Sequence, residues 1–191
     1  MKNLKTIALS LIVALGSLNA SAQTNKKIDT QKSTINWVGK KVTGQHSGTI
    51  NFAEGTIVVN GKSIRGGSFT VDMTSINTTD LQAGQGKEKL DGHLKADDFF
   101  GVEKYKTAKL EIKLISDNGD GTFNVTANLT IKDQTNPVNF VLKSTGKNSA
   151  SATVKVDRTK FGIKYGSGSF FEGLGDKAID NEFELNVNLV Y

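Results

Sequence analysis

The stretch Phe123-Asn-Val-Thr-Ala-Asn-Leu-Thr-Ile131 decides the fold class. Phe123, Val125, Ala127, Leu129 and Ile131 fall on one side of an extended chain, with Asn124, Thr126, Asn128 and Thr130 on the other. Successive strand side chains point to opposite faces, so this alternation marks a sheet with one apolar and one wet face. The same period recurs at Ile35/Trp37, Ile50/Phe52, Phe69/Val71/Met73, Leu110/Ile112/Leu114, Val138/Phe140/Leu142, Ala152/Val154/Val156 and Phe183/Leu185/Val187/Leu189. Turn signals separate the runs: Glu54-Gly55, Asn60-Gly61, Gly66-Gly67, Asn118-Gly119-Asp120-Gly121, Asn136-Pro137 and Gly146-Lys147-Asn148. Asn-Gly and Asp-Gly supply the positive-φ residues of tight hairpins. The pattern predicts one all-β domain of about eight antiparallel strands, joined up-and-down as a barrel or sandwich.

Two segments leave this pattern. In Lys87-Glu-Lys-Leu-Asp-Gly-His-Leu-Lys-Ala-Asp-Asp-Phe-Phe100, Leu90 and Leu94 are four apart, as on one face of a helical turn. This short helical insertion is placed to close one mouth of a barrel. Thr159 to Lys177 mixes Gly162, Gly166, Gly168, Gly173 and Gly175 with Phe161, Tyr165, Phe170 and Phe171. Long loops inside a compact domain are commonly functional. Both segments are read as gates.

At the start of the chain, Lys2 and Lys5 precede an apolar run from Ile7 to Leu18, and Ala20-Ser21-Ala22 follows. A charged start, a short apolar run and a small-residue site read as a secretory signal peptide. The run is shorter than the roughly 20 residues that span a bilayer. The expectation is a signal peptide over residues 1–22, cleavage near Ala22/Gln23, and a domain over 23–191 in the periplasm or secreted, with no permanent membrane anchor. Lys2 and Lys5 account for two of the +5 formal charges. No basic stripe with interleaved aromatics remains, so nucleic acid is not an expected partner.

The chain has no Cys and only two His. That excludes disulfides, Cys-ligated zinc, iron–sulfur clusters, covalent haem attachment and a Cys nucleophile. His46 and His93 are read as hydrogen-bonded structural residues near the barrel mouth, not as metal ligands. Ser75 lacks the G-x-S-x-G setting of a hydrolase nucleophile, and Gly84-Gln-Gly86-Lys87 is too loose for a phosphate loop. No catalytic residue, metal or cofactor is expected, and the protein is not read as an enzyme. An ion-pair network among Asp72, Asp80, Lys89, Lys95, Asp157 and Arg158 is expected to tie the insertion to the sheet.

The inward face is nearly all hydrocarbon. A closed eight-stranded barrel is either filled by its side chains or holds one ligand, and such a face suits a long apolar ligand.

The ordered motifs carry a resemblance. They run Asp29-Thr-x-x-Ser33-x-Ile35-x-Trp37, Gly44-Gln-His46-Ser-Gly48, Gly67-Ser-Phe-Thr-Val-Asp72-Met-x-Ser75-Ile76 and Asp80-Leu81. Lys89-Leu90-x-Gly-His93-Leu94-Lys95-x-x-Asp98-Phe99-Phe100, Asn128-Leu-Thr-Ile131, Asp157-Arg158-x-x-Phe161-Gly162 and Asp180-x-Glu182-Phe183 follow. Together they resemble the YceI-like, lipid/polyisoprenoid-binding family over residues 29 to 191. Two positions depart: Lys106 where the family often has Pro, and Asp133 where it often has Gly. The resemblance implies a lipocalin-like extended antiparallel β-barrel with an elongated apolar cavity. It implies as partner an isoprenoid or other long-chain lipid, such as a polyprenyl chain or an isoprenoid quinone, held as ligand rather than cofactor. With the alternation, it names candidate walls at Trp37, Phe52, Phe69, Leu94, Phe99 and Phe123. Ala127, Phe140, Phe161, Phe170 and Phe183 complete the set. The function expected is that of an exported lipid carrier or store. The alternative is an envelope or stress-related barrel with a filled core that acts through a protein partner. A second copy of the chain, as a homodimer, stands as a further partner candidate.

Overall fold

A computed structural model describes residues 22–191. The leader expected over residues 1–22 lies, but for its last residue, outside the described segment. Nine strands form one antiparallel sheet: β1 (Thr24–Lys27), β2 (Thr34–Lys41), β3 (Gly44–Asn60), β4 (Ser63–Thr78), β5 (Thr107–Asp117), β6 (Thr122–Ile131), β7 (Gln134–Gly146), β8 (Ser149–Asp157) and β9 (Ile179–Val190). Among the described residues one α-helix, α1 (Lys87–Lys95), lies between β4 and β5, and two short 3-10 helices, Arg158–Phe161 and Gly175–Lys177, lie between β8 and β9. The order β2-β9-β8-β7-β6-β5-β4 closes through β4–β3 and β3–β2 into an eight-stranded barrel. β3 is the longest strand. Its first half pairs with β2, and Thr56–Val59 pair with β1. β1 reads Thr-Asn-Lys-Lys, without alternation, which is why the sequence pattern misses it.

The core is the barrel interior. Phe123, Val125, Ala127, Leu129 and Ile131 are all buried, as the alternation of β6 requires. Leu114 departs from the expected register. The β5–β6 ladder slips between Ile112 and Leu114, so Leu114 faces solvent and Ile115 takes the inner place. One extra residue in a strand reverses every face after it.

Three expected turns prove to be strand interiors. Gly55 lies inside β3, Gly66-Gly67 inside β4 and Asn136-Pro137 inside β7. Gly55 is there because two side chains need its space: a Cβ would meet Phe69 Cδ1 at 2.7 Å and Ile28 Cδ1 at 2.8 Å. These side chains help to plug the barrel end away from α1. The β6–β7 reversal falls instead at Lys132-Asp133, both at positive φ (51° and 58°).

α1 buries none of its residues fully. Lys87 Nζ fastens it to β4 by donating to Asn77 Oδ1 (2.6 Å) and the Thr78 carbonyl (2.7 Å). The ammonium also pairs with Asp91 at 2.8 Å, and Asp91 accepts the Thr78 amide at 2.7 Å.

Candidate functional site

The barrel holds two apolar chambers in tandem. The upper, of about 130 Å³, lies beneath α1, with Trp37, Met73, Ile76, Leu94, Phe99, Phe100 and Phe183 in its wall. The lower, of about 90 Å³, lies deeper, with Phe52, Phe69, Ile112, Phe140, Val154 and Val187. Ile35, Val71, Ala108, Leu129 and Leu185 belong to both walls, so the chambers adjoin end to end. Cavities of roughly 150 Å³ with such linings stay dry and take up apolar molecules of benzene size. Wider grooves on the outer barrel wall, around Leu114 and Val141 and around Thr153 and Asn186, are open to solvent and lined in part by Asn, Ser and Thr.

Of the expected wall residues, Trp37, Leu94, Phe99 and Phe183 line the upper chamber, and Phe52, Phe69 and Phe140 the lower. Phe123, Ala127 and Phe161 are buried but line neither. Ala127 pairs with Ile112 on one side and Val138 on the other. Phe170 is 47% exposed on the loop before β9, with Lys164 Nζ 4.8 Å from its ring centre. The five residues shared by both chambers fall outside the expected wall set, although Ile35, Val71, Leu129 and Leu185 belong to its inward runs and Ala108 extends the β5 run by one period.

The cap over the upper chamber is aromatic. Phe99 and Phe100 pack edge-to-face with centroids 5.1 Å apart, and Phe100 meets Phe183 at 6.1 Å. His93 packs its ring against Phe99 (5.4 Å) and Tyr165 (4.4 Å), joining α1 to the loop before β9. Its Nε2 is buried without a hydrogen-bond partner, contrary to the expected bonded role; His46 does bond, through Nδ1 to Asp80 at 2.9 Å. Lys132 Nζ holds the cap from the β6–β7 turn by donating to the carbonyls of Asp97 (2.8 Å) and Phe99 (2.9 Å).

The expected ion-pair network is absent among the described residues. Asp72 accepts from Thr74, and Asp157 from Thr159. Arg158 is only 2% exposed, yet its partners are backbone carbonyls: Nε to Asp180 (3.0 Å), Nη1 to Ile163 (2.9 Å) and Nη2 to Ile179 (3.1 Å). Its guanidinium also lies 5.7 Å from the Phe99 ring centre. Burial lowers the Arg158 pKa, against the opposing pull of Asp157 and Asp180, but a guanidinium stays charged in proteins. Carbonyl dipoles thus take the place of a carboxylate. Asp180 and Glu182 stand at the edge of the upper chamber, exposed, beside Lys40.

The interior offers mainly hydrocarbon contact, with Lys40, Arg158, Asp180 and Glu182 confined to the upper chamber. Among the described residues, no three His, Asp or Glu side chains gather as metal ligands. No helix there is long and apolar enough to cross a membrane.

Comparison with known proteins agrees with this architecture. BcnA of Burkholderia cenocepacia superposes with a TM-score of 0.68 at 19% identity, over 86% of this chain and 99% of that one. A polyisoprenoid binding domain from Saccharophagus degradans, implicated in plant cell wall breakdown, gives a TM-score of 0.57 at 14% identity, over 85% and 95%. In sequence, a UPF0312 protein of Pseudomonas aeruginosa is 32% identical over 51% of this chain and 59% of its own length. For a UPF0312 protein of Ectopseudomonas mendocina the figures are 30% identity, 42% and 38%. The match thus spans about half the length of these curated relatives. Residues 27–191 match the YceI-like domain, and the chain belongs to that family.

Proposed function

We propose that the protein binds a long-chain isoprenoid lipid, of polyprenyl or isoprenoid quinone type, inside its barrel, and serves as an exported carrier or store rather than an enzyme. The observation that carries this reading is the hydrocarbon lining of the two adjoining chambers, which share Ile35, Val71, Ala108, Leu129 and Leu185. Each buried methylene contributes about 0.8 kcal/mol, so affinity grows with chain length and needs no charged clamp. The isoprenoid class is carried over from the Saccharophagus degradans domain, whose likeness lies in the fold. Export rests on Lys2, Lys5, the run Ile7 to Leu18 and Ala20-Ser21-Ala22.

Mass spectrometry of an organic extract of the purified full-length protein tests the cargo. An isoprenoid in near-stoichiometric amount supports the reading. An extract without lipid, together with no uptake of added polyprenol, overturns it in favour of a filled barrel that acts through a protein partner. Cell fractionation with N-terminal sequencing tests export: a mature start near Gln23 outside the cytoplasm supports it, and a retained Met1 opposes it.

A further inference from the structure

The barrel wall is irregular at several seams: β7 and β8 pair only over Leu142–Gly146 and Ser149–Ala152, and the β2–β9 ladder is interrupted beside Gly39. Between β2 and β9 the ladder is regular from Thr34↔Asn188 to Gly39↔Phe183, and its next rung is Lys41↔Ile179. One residue, Lys40, therefore faces three, Asp180, Asn181 and Glu182. In a regular strand successive carbonyls point to opposite edges. Here those of Ile179 and Asp180 both turn to the Arg158 guanidinium. Asn181 is drawn off as well: its Oδ1 accepts from Ser167 Oγ (2.6 Å) and its Nδ2 donates to Ser169 Oγ (2.8 Å). Arg158 and the loop before β9 thus satisfy backbone and side-chain groups that the strand partner leaves unpaired, which stabilises the bulge.

This break opens on the upper chamber. Gly39, Lys40, Asp180, Glu182 and Phe183 all line it. A Cβ at Gly39 would meet nothing within 4 Å, so there is open space where a wall side chain would stand. The unpaired stretch between β7 and β8 lies against the lower chamber, at Phe140 and Val154, whereas the two ends of the barrel are obstructed. The cap end is pinned by the Phe99–Phe100–Phe183 stack and by the two Lys132 hydrogen bonds, and the far end by Ile28 and Phe69 packed over Gly55.

We propose that the lipid chain enters and leaves sideways through the β2–β9 break beside Gly39, and that the Phe99–Phe100 cap stays shut during exchange. This rests on the lipid-binding reading above. Gly39 is the threshold. It has no positive φ, so a larger residue is tolerated by the backbone.

The test uses full-length protein and all-trans-retinol, an isoprenoid alcohol that accepts energy from tryptophan. Trp37 is the only Trp and lines the upper chamber, so quenching of its emission reads uptake directly. For Gly39→Phe the expected result is association and dissociation rates both slowed at least tenfold relative to wild type. A blocked doorway slows release as well as uptake, whereas a ring that only takes up chamber space weakens binding by speeding release. If Kd weakens tenfold while dissociation speeds up, the new side chain fills the chamber, and the threshold role is overturned. If Gly39→Phe exchanges like wild type while Phe100→Ala exchanges tenfold faster, access is through the cap and the proposal is wrong. If wild-type protein takes up neither retinol nor geranylgeraniol, the lipid-binding reading itself fails, an outcome separate from normal uptake by both proteins.

Discussion

Trp37 lies directly across the β2–β3 ladder from Gly48, and a Cβ at position 48 would collide with the Asn77 carbonyl oxygen and come 2.6 Å from the ring carbon Cζ2. The indole is a chamber wall because its neighbour has no side chain. Gly48→Ala should displace both the Asn77 carbonyl of β4 and the ring, at a cost of about 1–3 kcal/mol or more, as for other overpacked sites. In a domain of this size each kcal/mol moves Tm by roughly 2–4 °C. Thermal unfolding and Trp37 emission check this together: a lower Tm with a red-shifted spectrum is expected. An unchanged spectrum would mean that the ring is not held by this contact.

Ala108 and Ala127 are both small and inward on neighbouring strands, but they differ in what surrounds them. Ala108 stands in the walls of both chambers, whereas Ala127 is fully buried and lines neither. Ala108→Phe should occupy existing space, abolish lipid uptake and leave stability within about 1 kcal/mol, since added volume that meets a void causes little strain. Ala127→Phe should instead lower stability by about 1–3 kcal/mol, because its surroundings are already packed. Denaturant unfolding of the two variants beside lipid titration tests the contrast. Equal destabilisation would mean that the chambers do not accept volume.

The barrel itself was legible because period-2 alternation is a property of local sequence, and the inner set of β6 follows it at every position from Phe123 to Ile131. It failed where the ladder slips. Nothing in Leu110 to Ile115 marks the bulge that turns Leu114 outward, since both registers put Leu or Ile inside. Gly55 and Gly66-Gly67 read as turns because glycine serves turns and close approaches alike, and only tertiary neighbours distinguish them. The aromatic walls were partly legible, as with Trp37, Phe52 and Phe183, because large residues alternate visibly. The break beside Gly39 was not. It depends on Arg158, distant in sequence, which was read as an ion-pair partner because three backbone carbonyls leave no trace in composition.

Asp91 ties α1 to β4 through its charge. Burial alone would raise its pKa, but hydrogen bonds from Lys87 and Thr78 outweigh burial and hold it below the ordinary carboxylate value. With the folded pKa depressed, the unfolded chain takes up the proton first as pH falls. The stabilisation is therefore complete above the unfolded value of about 3.9 and is lost as pH drops through the lower folded value. The Thr78 amide, which donates to Asp91 at 2.7 Å, is the natural reporter. Its NMR shift should titrate with a midpoint below about 3.9. Asp91→Asn should abolish that titration and cost about 1.5–3 kcal/mol at neutral pH, the usual range for hydrogen bonds to a charged group. A midpoint at or above the ordinary value would contradict the attachment described.

The β6–β7 turn offers a paired test of strain and of the cap. Lys132 and Asp133 have φ of 51° and 58°, a conformation that costs side-chain-bearing residues and suits glycine. Asp133 is exposed, and its side chain carries none of the hydrogen bonds that hold the cap. Asp133→Gly should therefore relieve the strain. The gain, of order 1–2 kcal/mol for leaving the left-handed region, is offset by the roughly 0.4–1 kcal/mol of extra freedom given to the unfolded chain. A net stabilisation of about 0.5–1 kcal/mol is expected, with lipid exchange unchanged. Lys132→Gly relieves the same strain but deletes the ammonium that holds the Asp97 and Phe99 carbonyls. There the stability gain should vanish or reverse, and amide hydrogen exchange over Asp97 to Val102 should quicken while that of β6 stays slow. If both glycine variants behave alike, in stability and in exchange, Lys132 does not pin the cap, and the aromatic stack of Phe99, Phe100 and Phe183 is what keeps the upper chamber closed.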